Sequence, residues 1–533
     1  MHAPASRFPL PASRDQSRDQ SRDIAASYDA VAYDSRPIHY AEPDALAAIA
    51  TLHGLTPPSP SRCRVLELGC ATGMNLVSMA FRMPKSKFVG IDLAPNHIES
   101  GRFIVSELGL QNVDLQLRSI ADIGEADGLF DYIICHGVFS WVPPNVQDAI
   151  LRVCSQNLSE HGIAYVSYNT YPGWHRRGML RDMLLFHDDP SLDPAERVAR
   201  AREFASAIAA SDPTNDTAHF AVLREEAKEL EKQRDVHLFH EQLEPWNEPI
   251  YFSEFMRRAS TNGLAYVADS HSGVESAAMA KLREKLGANF DHLRMEQYID
   301  FVRGRPFRRS VLCHAAAKPT PEAVANGVHR LMIRARVASA EASPEDAARG
   351  PGVTSFQTPE GVKVTTNNPL VIAILTALMD ATPEAVPFDD LRRRVSERFA
   401  ASRQTSDVDD EALASALLAC TRGAFVEFRV LPSPLVSRPG LRPKASTLAR
   451  WQALSFEEVT TLAHSYYKLV GIERFLIAHL DGTKDRAQLV RHTEHAFTSG
   501  DLTLPGFVPT SESLAAIVDE VLGRLARAGL LVA

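Results

Sequence analysis

The sequence predicts an α/β protein. It should hold one seven-stranded, mostly parallel sheet with helices on both faces, broken by a helical insertion and followed by two winged-helix-like α+β modules. Three observations carry this. Strand and helix patterns alternate from residue 64 to 168, the mark of a parallel sheet. The alternation then lapses for about ninety residues of helix-like sequence before two more strands return. Beyond residue 318 the order helix, helix, glycine, short strand occurs twice.

In chain order, the first 23 residues hold the polar repeat SRDQSRDQSRD and no apolar segment suited to secretion, so a disordered tail is expected over 1–23. RVLEL (64–68), KFVGID (87–92), VDLQLR (113–118), FDYIICH (130–136) and IAYVSY (163–168) read as strands. Helices are expected at 74–82, at 95–108 with Pro95 in the first turn, and at 145–159. An insertion over about 173–250 carries helices at 180–187, 194–209 and 221–233, and should sit over the carboxyl edge of the sheet. A helix at 252–262 stops at Gly263, a strand follows at 264–269, a helical stretch at 274–302, and a last strand at 308–317. The domain spans 24–317.

The first module (318–432) should contain a hairpin around TPEG (358–361), helices at 369–379, 388–399 and 410–422, and the strand AFVEFRV (424–430). LPSPLVSRPGLRP (431–443) is a joint. The second module (444–533) has a turn at LDGT, with Thr483 expected as N-cap, and a last helix at 513–528 with one apolar face, stopping at Gly529 before LLVA.

Composition narrows the function. The chain has 533 residues, more than one core usually supports, with 45% hydrophobic and 23% charged residues. A formal charge of −9 weighs against a protein built to grip nucleic acid. The basic run Arg392, Arg393, Arg394 is expected to be a solvated helix face. The six cysteines (Cys63, Cys70, Cys135, Cys154, Cys313, Cys420) have no metal-ligand spacing and should be buried thiols in a reducing, cytoplasmic setting. No metal is expected. The longest apolar run, LVIAILTALM, is about half of what a membrane span needs, so no insertion into a membrane is expected.

VLELGCATGMN (65–75) carries the chemistry. A strand runs through Glu67 into two glycines, Gly69 and Gly73, and a helix begins. Helix N-termini offer unpaired N–H groups, so an anionic ligand group is expected there. A dinucleotide or S-adenosylmethionine would suit, but the middle glycine of GxGxxG is missing: Cys70, Ala71 and Thr72 separate Gly69 from Gly73. Asp92 ends the second strand, placed for ribose hydroxyls under either cofactor.

The ExGxxxGxN pattern, Asp92 and the closing pair of strands together resemble class I S-adenosylmethionine-dependent methyltransferases over residues 24 to about 317. YDAVAYDSRP (28–37), HGVFSWVP (136–143), SYNTYPGW (167–174), FHEQLEPWNEPIYFSEF (239–255) and MEQYIDFVRGRPFRRSVLCH (295–314) resemble a narrower branch. That branch carries a methyltransferase regulatory domain and includes the lysine methyltransferases of rickettsial outer-membrane proteins, which also have a C-terminal winged-helix region.

The resemblance implies that Glu67, Gly69, Cys70, Ala71, Thr72, Gly73 and Asn75 line the methionine end of S-adenosylmethionine. It implies Asp92 on the ribose and Leu93 on the adenine. Ser119 and Ile120 stand where the family often has an acidic residue for the adenine amine, with Asp122 two residues on. His136, Gly137 and Val138 would lie under the sulfonium.

Tyr168, Asn169, Tyr171 and Trp174 leave the carboxyl end of the fifth strand, where such sheets place ligands. Tyr168 and Asn169 are the candidates for positioning the acceptor. Tyr171 and Trp174 could cradle it or pack the insertion onto the sheet. Trp141 is a candidate acceptor contact or a core residue, and Tyr28 and Tyr33 a lid or a packing element. His175 and His240 read as surface or structural. The favoured reading is methyl transfer to protein lysine, with the C-terminal modules docking the protein substrate. A small-metabolite acceptor and a non-catalytic cofactor-binding protein stand as alternatives.

Overall fold

The computed structural model describes residues 35–215, 217–270, 277–286, 291–341, 352–359, 361–401, 408–503 and 510–532. The tail expected at 1–23, with Tyr28 and Tyr33, lies outside them.

The central sheet is built from β1 (Arg64–Leu68), β2 (Lys87–Asp92), β3 (Val113–Leu117), β4 (Phe130–Cys135), β5 (Leu158–Asn169), β6 (Leu264–Asp269) and β7 (Phe307–His314). Their spatial order is β3-β2-β1-β4-β5-β7-β6. The first five run parallel, and β7 is antiparallel to both β5 and β6. The order reverses between β1 and β4, which opens a crevice at their carboxyl ends, where ligands bind in such sheets. Near-continuous apolar strands are what burial on both faces demands. Leu66, Leu68 and Ile133 pack with Ile150 and Phe255 on one side. Val65, Tyr132 and Ile134 pack with Leu46, Leu76 and Met79 on the other.

β5 begins at Leu158, five residues before the apolar run read from the sequence, because Leu158 already pairs with Phe130 across a register shift. β7 ends at His314, and Ala315–Ala317 forms a single 3₁₀ turn instead of more strand.

The insertion packs Gly173–His187, Pro194–Ala209 and Ala218–Glu231 around a core of its own that includes Leu184, Ala205, Leu223 and Leu238. The chain then passes through the short helix Asp235–Leu238 into a π-helical turn, Phe239–Leu243, and returns to the sheet, where the Ile250 N–H donates to the Asn169 carbonyl at 3.0 Å.

β7 is clamped by a buried charge cluster. The fully buried Arg308 guanidinium donates to both carboxylate oxygens of Asp300 at 2.8 and 3.0 Å and to Glu296 Oε2 at 3.0 Å, and lies 3.9 Å over the Phe252 ring. Removing one partner strands the others in a dry interior. Arg308→Met should therefore cost about 3–5 kcal/mol of unfolding free energy, read as a lowered denaturant midpoint. A midpoint equal to the wild type would show that the cluster does not hold the strand.

In the first C-terminal region, Met332–Ala335 is the middle strand between Val386–Pro387 and Val426–Arg429, packed with helices Pro369–Ala381, Phe388–Ala401 and Asp410–Thr421. The sequence reading lacked Met332–Ala335, since four residues give too short an alternation. Thr354–Gln357 pairs antiparallel with Lys363–Thr366, the two strands of the hairpin expected around TPEG, of which Glu360 lies outside the described residues. In the arginine run, Arg392 faces Asp410 at 3.5 Å and Arg393 pairs with Glu397 at 2.9 Å and Asp390 at 3.5 Å, a solvated, ion-paired face, whereas Arg394 is half-buried and its Nε is covered.

In the second region Leu531–Val532 pairs with Lys444–Ala445. Asp485, not Thr483, caps the helix Arg486–Ser499 through a capping box with Gln488. Thr483 instead donates its hydroxyl to Asp481 within the preceding turn. All six cysteines are buried thiols. Among the described residues no helix is long and apolar enough to cross a membrane, and no cluster of His, Cys, Asp or Glu is arranged to hold a metal ion.

Both C-terminal regions are tied to the sheet domain. Asp44 Oδ1 accepts from the N–H groups of Val430 and Leu431 at 2.7 and 2.8 Å, and Arg429 lies 3.9 Å from Glu42 Oε2. Leu448 packs between Met74 and Val77 on the helix that follows β1.

Candidate cofactor and acceptor site

The bend after β1 is shaped by three left-handed residues: Gly69 (φ 73°), Ala71 (φ 47°) and Gly73 (φ 71°). The N–H groups of Gly69 and Cys70 both donate to the Ile91 carbonyl, at 2.9 and 3.0 Å, which pulls the bend down onto β2. The non-glycine Ala71 is held in its strained conformation by an N–H donated to Asp92 Oδ2 at 2.8 Å. Gly69 is irreplaceable on a second count, since a Cβ there would lie 2.5 Å from a Val138 methyl. Gly73 starts the helix Met74–Arg82.

Beside this bend lies a cavity of about 440 Å³. At one end Gly69, Ala71, Asp92, Leu93, Ser119 and Ile120 line it; His136, Gly137 and Val138 form its middle; Trp141, Asn169, Trp174, Arg177, His240, Glu241, Phe307 and Arg309 close the other end. Asp92 projects from the tip of β2, its Oδ1 steadied by the Ala94 N–H at 3.0 Å.

Comparison with known proteins agrees with this geometry. Residues 59–242 match a family model described as methyltransferase domain, 234–314 a predicted methyltransferase regulatory domain, and 442–530 a PKMT C-terminal winged helix domain. The chain is 33% identical over 485 residues to the uncharacterized protein RP789 of Rickettsia prowazekii, covering 90% of this chain and 87% of that one. It superposes on PKMT2 from Rickettsia typhi with a TM-score of 0.82 and 28% identity, covering 94% of this chain and all of that one. PKMT2 in complex with AdoHcy gives the same TM-score at 27% identity, with the same coverage.

The chain belongs to the PKMT-type S-adenosylmethionine-dependent methyltransferases.

The residues present fit that cofactor. A close-approach glycine, a carboxylate at the tip of β2 and two buried polar atoms in the cavity lining without partners among the described residues (His97 Nε2, Trp174 Nε1) are what a bound nucleoside amino acid would use. The methyltransferase would hold it through the Gly69–Ala71 backbone, Asp92, and the apolar surfaces of Leu93 and Ile120. The adenine end departs from the family's acidic residue: Ser119 Oγ is engaged by the Ala121 N–H at 3.2 Å.

His136 Nδ1 and the Tyr165 hydroxyl are hydrogen-bonded at 2.9 Å. Burial, helped by the Arg309 charge, pushes the His136 pKa down to about 3, so the ring is neutral and adds no positive charge to the cavity.

Several candidates shape the bend without lining the cavity. Cys70, Gly73 and Asn75 are buried beneath it, and Thr72 meets Gly101 of the next helix through its carbonyl. Glu67 is also buried there, and accepts from Asn75 Nδ2 at 2.7 Å. Tyr168 requires correction. Its side chain turns into the core, stacked on Phe255 at 4.1 Å with its hydroxyl 2.9 Å from Ser310 Oγ, because alternate residues of a strand face opposite sides and the neighbouring Asn169 takes the cavity side. Tyr171 is also outside the cavity, stacked on His175 at 4.2 Å. Trp141 and Trp174 do line it, edge to face at 6.4 Å.

The sequence reading missed His97, Arg177, Glu241, Phe307 and Arg309, and took His240 as surface or structural, whereas it lines the cavity. Arg177, His240 and Glu241 belong to the insertion, whose approach to the sheet no local pattern reveals.

Burial, opposed by the Asn75 hydrogen bond, raises the Glu67 carboxyl to about 8. In the unfolded chain it titrates near the usual ~4.3. Between these values the native state binds more protons than the unfolded one, so this group's contribution to stability falls as pH rises from about 4.3 to 8. Melting curves of the ligand-free protein across that range should show a downward slope that Glu67→Gln reduces. Equal slopes in the two proteins would contradict the assignment.

Proposed function

We propose that this methyltransferase delivers the methyl group to the side-chain amine of a lysine in a protein, in keeping with its PKMT-type relatives. The carrying observation is Glu241. Its carboxyl lines the acceptor end of the cavity and has no hydrogen-bond or ion-pair partner among the described residues. Burial raises its pKa, and Arg177 moderates the shift.

The π turn explains its placement. Phe239 and Leu243 enter the core of the insertion while the consecutive residues His240 and Glu241 face the cavity. The turn is clamped, since Arg181 donates to the Glu241 carbonyl at 3.3 Å and Arg197 to the Leu243 carbonyl at 3.2 Å.

When bound, S-adenosylmethionine supplies an electrophilic methyl on a sulfonium. A lysine ammonium, with a free pKa of about 10.4, must lose a proton before it can attack. Trp141 and Trp174 offer ring faces to the cation. Glu241 receives the ammonium and takes its proton, a transfer that the dry walls favour because they disfavour both charges. Asn169 donates through Nδ2 to Asn247 at 2.9 Å, which leaves its amide oxygen to accept from the amine and orient the lone pair. With the cofactor bound, the deprotonated amine held by Asn169 would be placed to take the methyl in line as the carbon–sulfur bond breaks, and the product would leave as a methylammonium.

Incubation with methyl-labelled cofactor and cell lysate, followed by complete hydrolysis, tests this. Label in methyl-lysine supports the proposal. Label confined to small molecules contradicts it.

A further inference from the structure

We infer that His464, carried by the C-terminal winged-helix region, is a positioning residue for the cofactor site. It lies at the tip of the hairpin formed by Glu458–Thr460 and Tyr466–Lys468, in a left-handed conformation (φ 54°), and is fully buried against the sheet domain.

Four hydrogen bonds define a relay. The Ile38 N–H points at Asn75 Oδ1 (2.9 Å), which fixes the orientation of the amide. His464 Nε2, 2.8 Å from the same oxygen, must therefore be the donor. Its Nδ1 then accepts from the Ser78 hydroxyl at 2.8 Å. Asn75 passes the constraint on through Nδ2, which donates to Glu67 Oε1 at 2.7 Å. Glu67 stands two residues before Gly69, where the bend has no slack against Val138.

Packing alone does not account for this arrangement. The same seam already has an apolar contact in Leu448 against Met74 and Val77, and a buried polar chain costs desolvation that apolar side chains would avoid. What the chain supplies is a unique orientation for Asn75 and Glu67. The hairpin also holds the segment leading to the amino terminus, since Arg36 pairs with Glu458 at 2.8 Å and lies 4.7 Å over the Tyr466 ring. The C-terminal region thus completes the cofactor bend, a role separate from any docking of substrate.

The inference rests on the cofactor reading, and its test separates the two. S-adenosylhomocysteine is titrated into full-length wild type, His464→Ala, His464→Gln and Leu448→Ala, each with a melting curve. His464→Ala should bind about tenfold more weakly or worse, as expected when a buried hydrogen-bond partner is removed. His464→Gln, which keeps one donor and one acceptor, should recover most of the affinity. Leu448→Ala should melt earlier and bind like the wild type.

Wild-type affinity in His464→Ala would overturn the inference, as would parallel losses of affinity in His464→Ala and Leu448→Ala. Should His464→Ala fail to fold, Ser78→Ala takes its place, and unchanged affinity there overturns the inference. A wild type that does not bind would instead count against the cofactor site itself.

Discussion

Glu241→Gln should lower kcat for lysine methylation by about 10²–10⁴-fold, the usual contribution of a positioned proton acceptor. Binding of S-adenosylhomocysteine should be unchanged, because Glu241 lies at the far end of the cavity from Asp92. The pH profile adds a second readout. Burial raises the Glu241 carboxyl above its ordinary range, and only the ionised form can take a proton. The wild-type rate should therefore climb as pH passes through that raised value, and the variant should lose this limb and recover only toward the titration range of lysine itself. A variant with wild-type kcat would remove Glu241 from the chemistry.

The other large effect is expected at Asp92. Its two oxygens accept from the N–H groups of Ala71 and Ala94, and an amide in its place would turn an NH₂ toward one of these donors. Asp92→Asn thus disturbs the bend and weakens the acceptor offered to the ribose. Cofactor affinity should fall about 100-fold, the scale of losing a hydrogen bond to a charged group. The maximal rate at saturating cofactor should fall far less. Equal affinities in variant and wild type would mean that the ribose does not meet Asp92.

The sheet and the bend were legible because their signals are local. A strand, two glycines, a helix and a carboxylate at the next strand's tip are each set by neighbouring residues, and β1 through β4 lie within a residue or so of where the patterns place them. Gly69 and Gly73 take positive φ, a conformation open to glycine at little cost. Legibility ends where the site depends on contacts distant in sequence. Strand alternation distinguishes Tyr168 from Asn169 only once it is known which face meets the core, and Phe255, which claims Tyr168, comes from a helix beyond the insertion. Glu241 sits within a stretch singled out for its resemblance, yet its position at the cavity depends on a π turn that no periodicity announces. His464 is 389 residues from Asn75 and carries no local mark of its partner.

Calorimetry with S-adenosylhomocysteine tests most directly whether the cavity beside the Gly69 bend holds S-adenosylmethionine. The wild type should bind one equivalent per chain, and Gly69→Val, whose side chain would collide with Val138, should bind none. No saturable heat in the folded wild type, or undiminished binding in Gly69→Val, would contradict it.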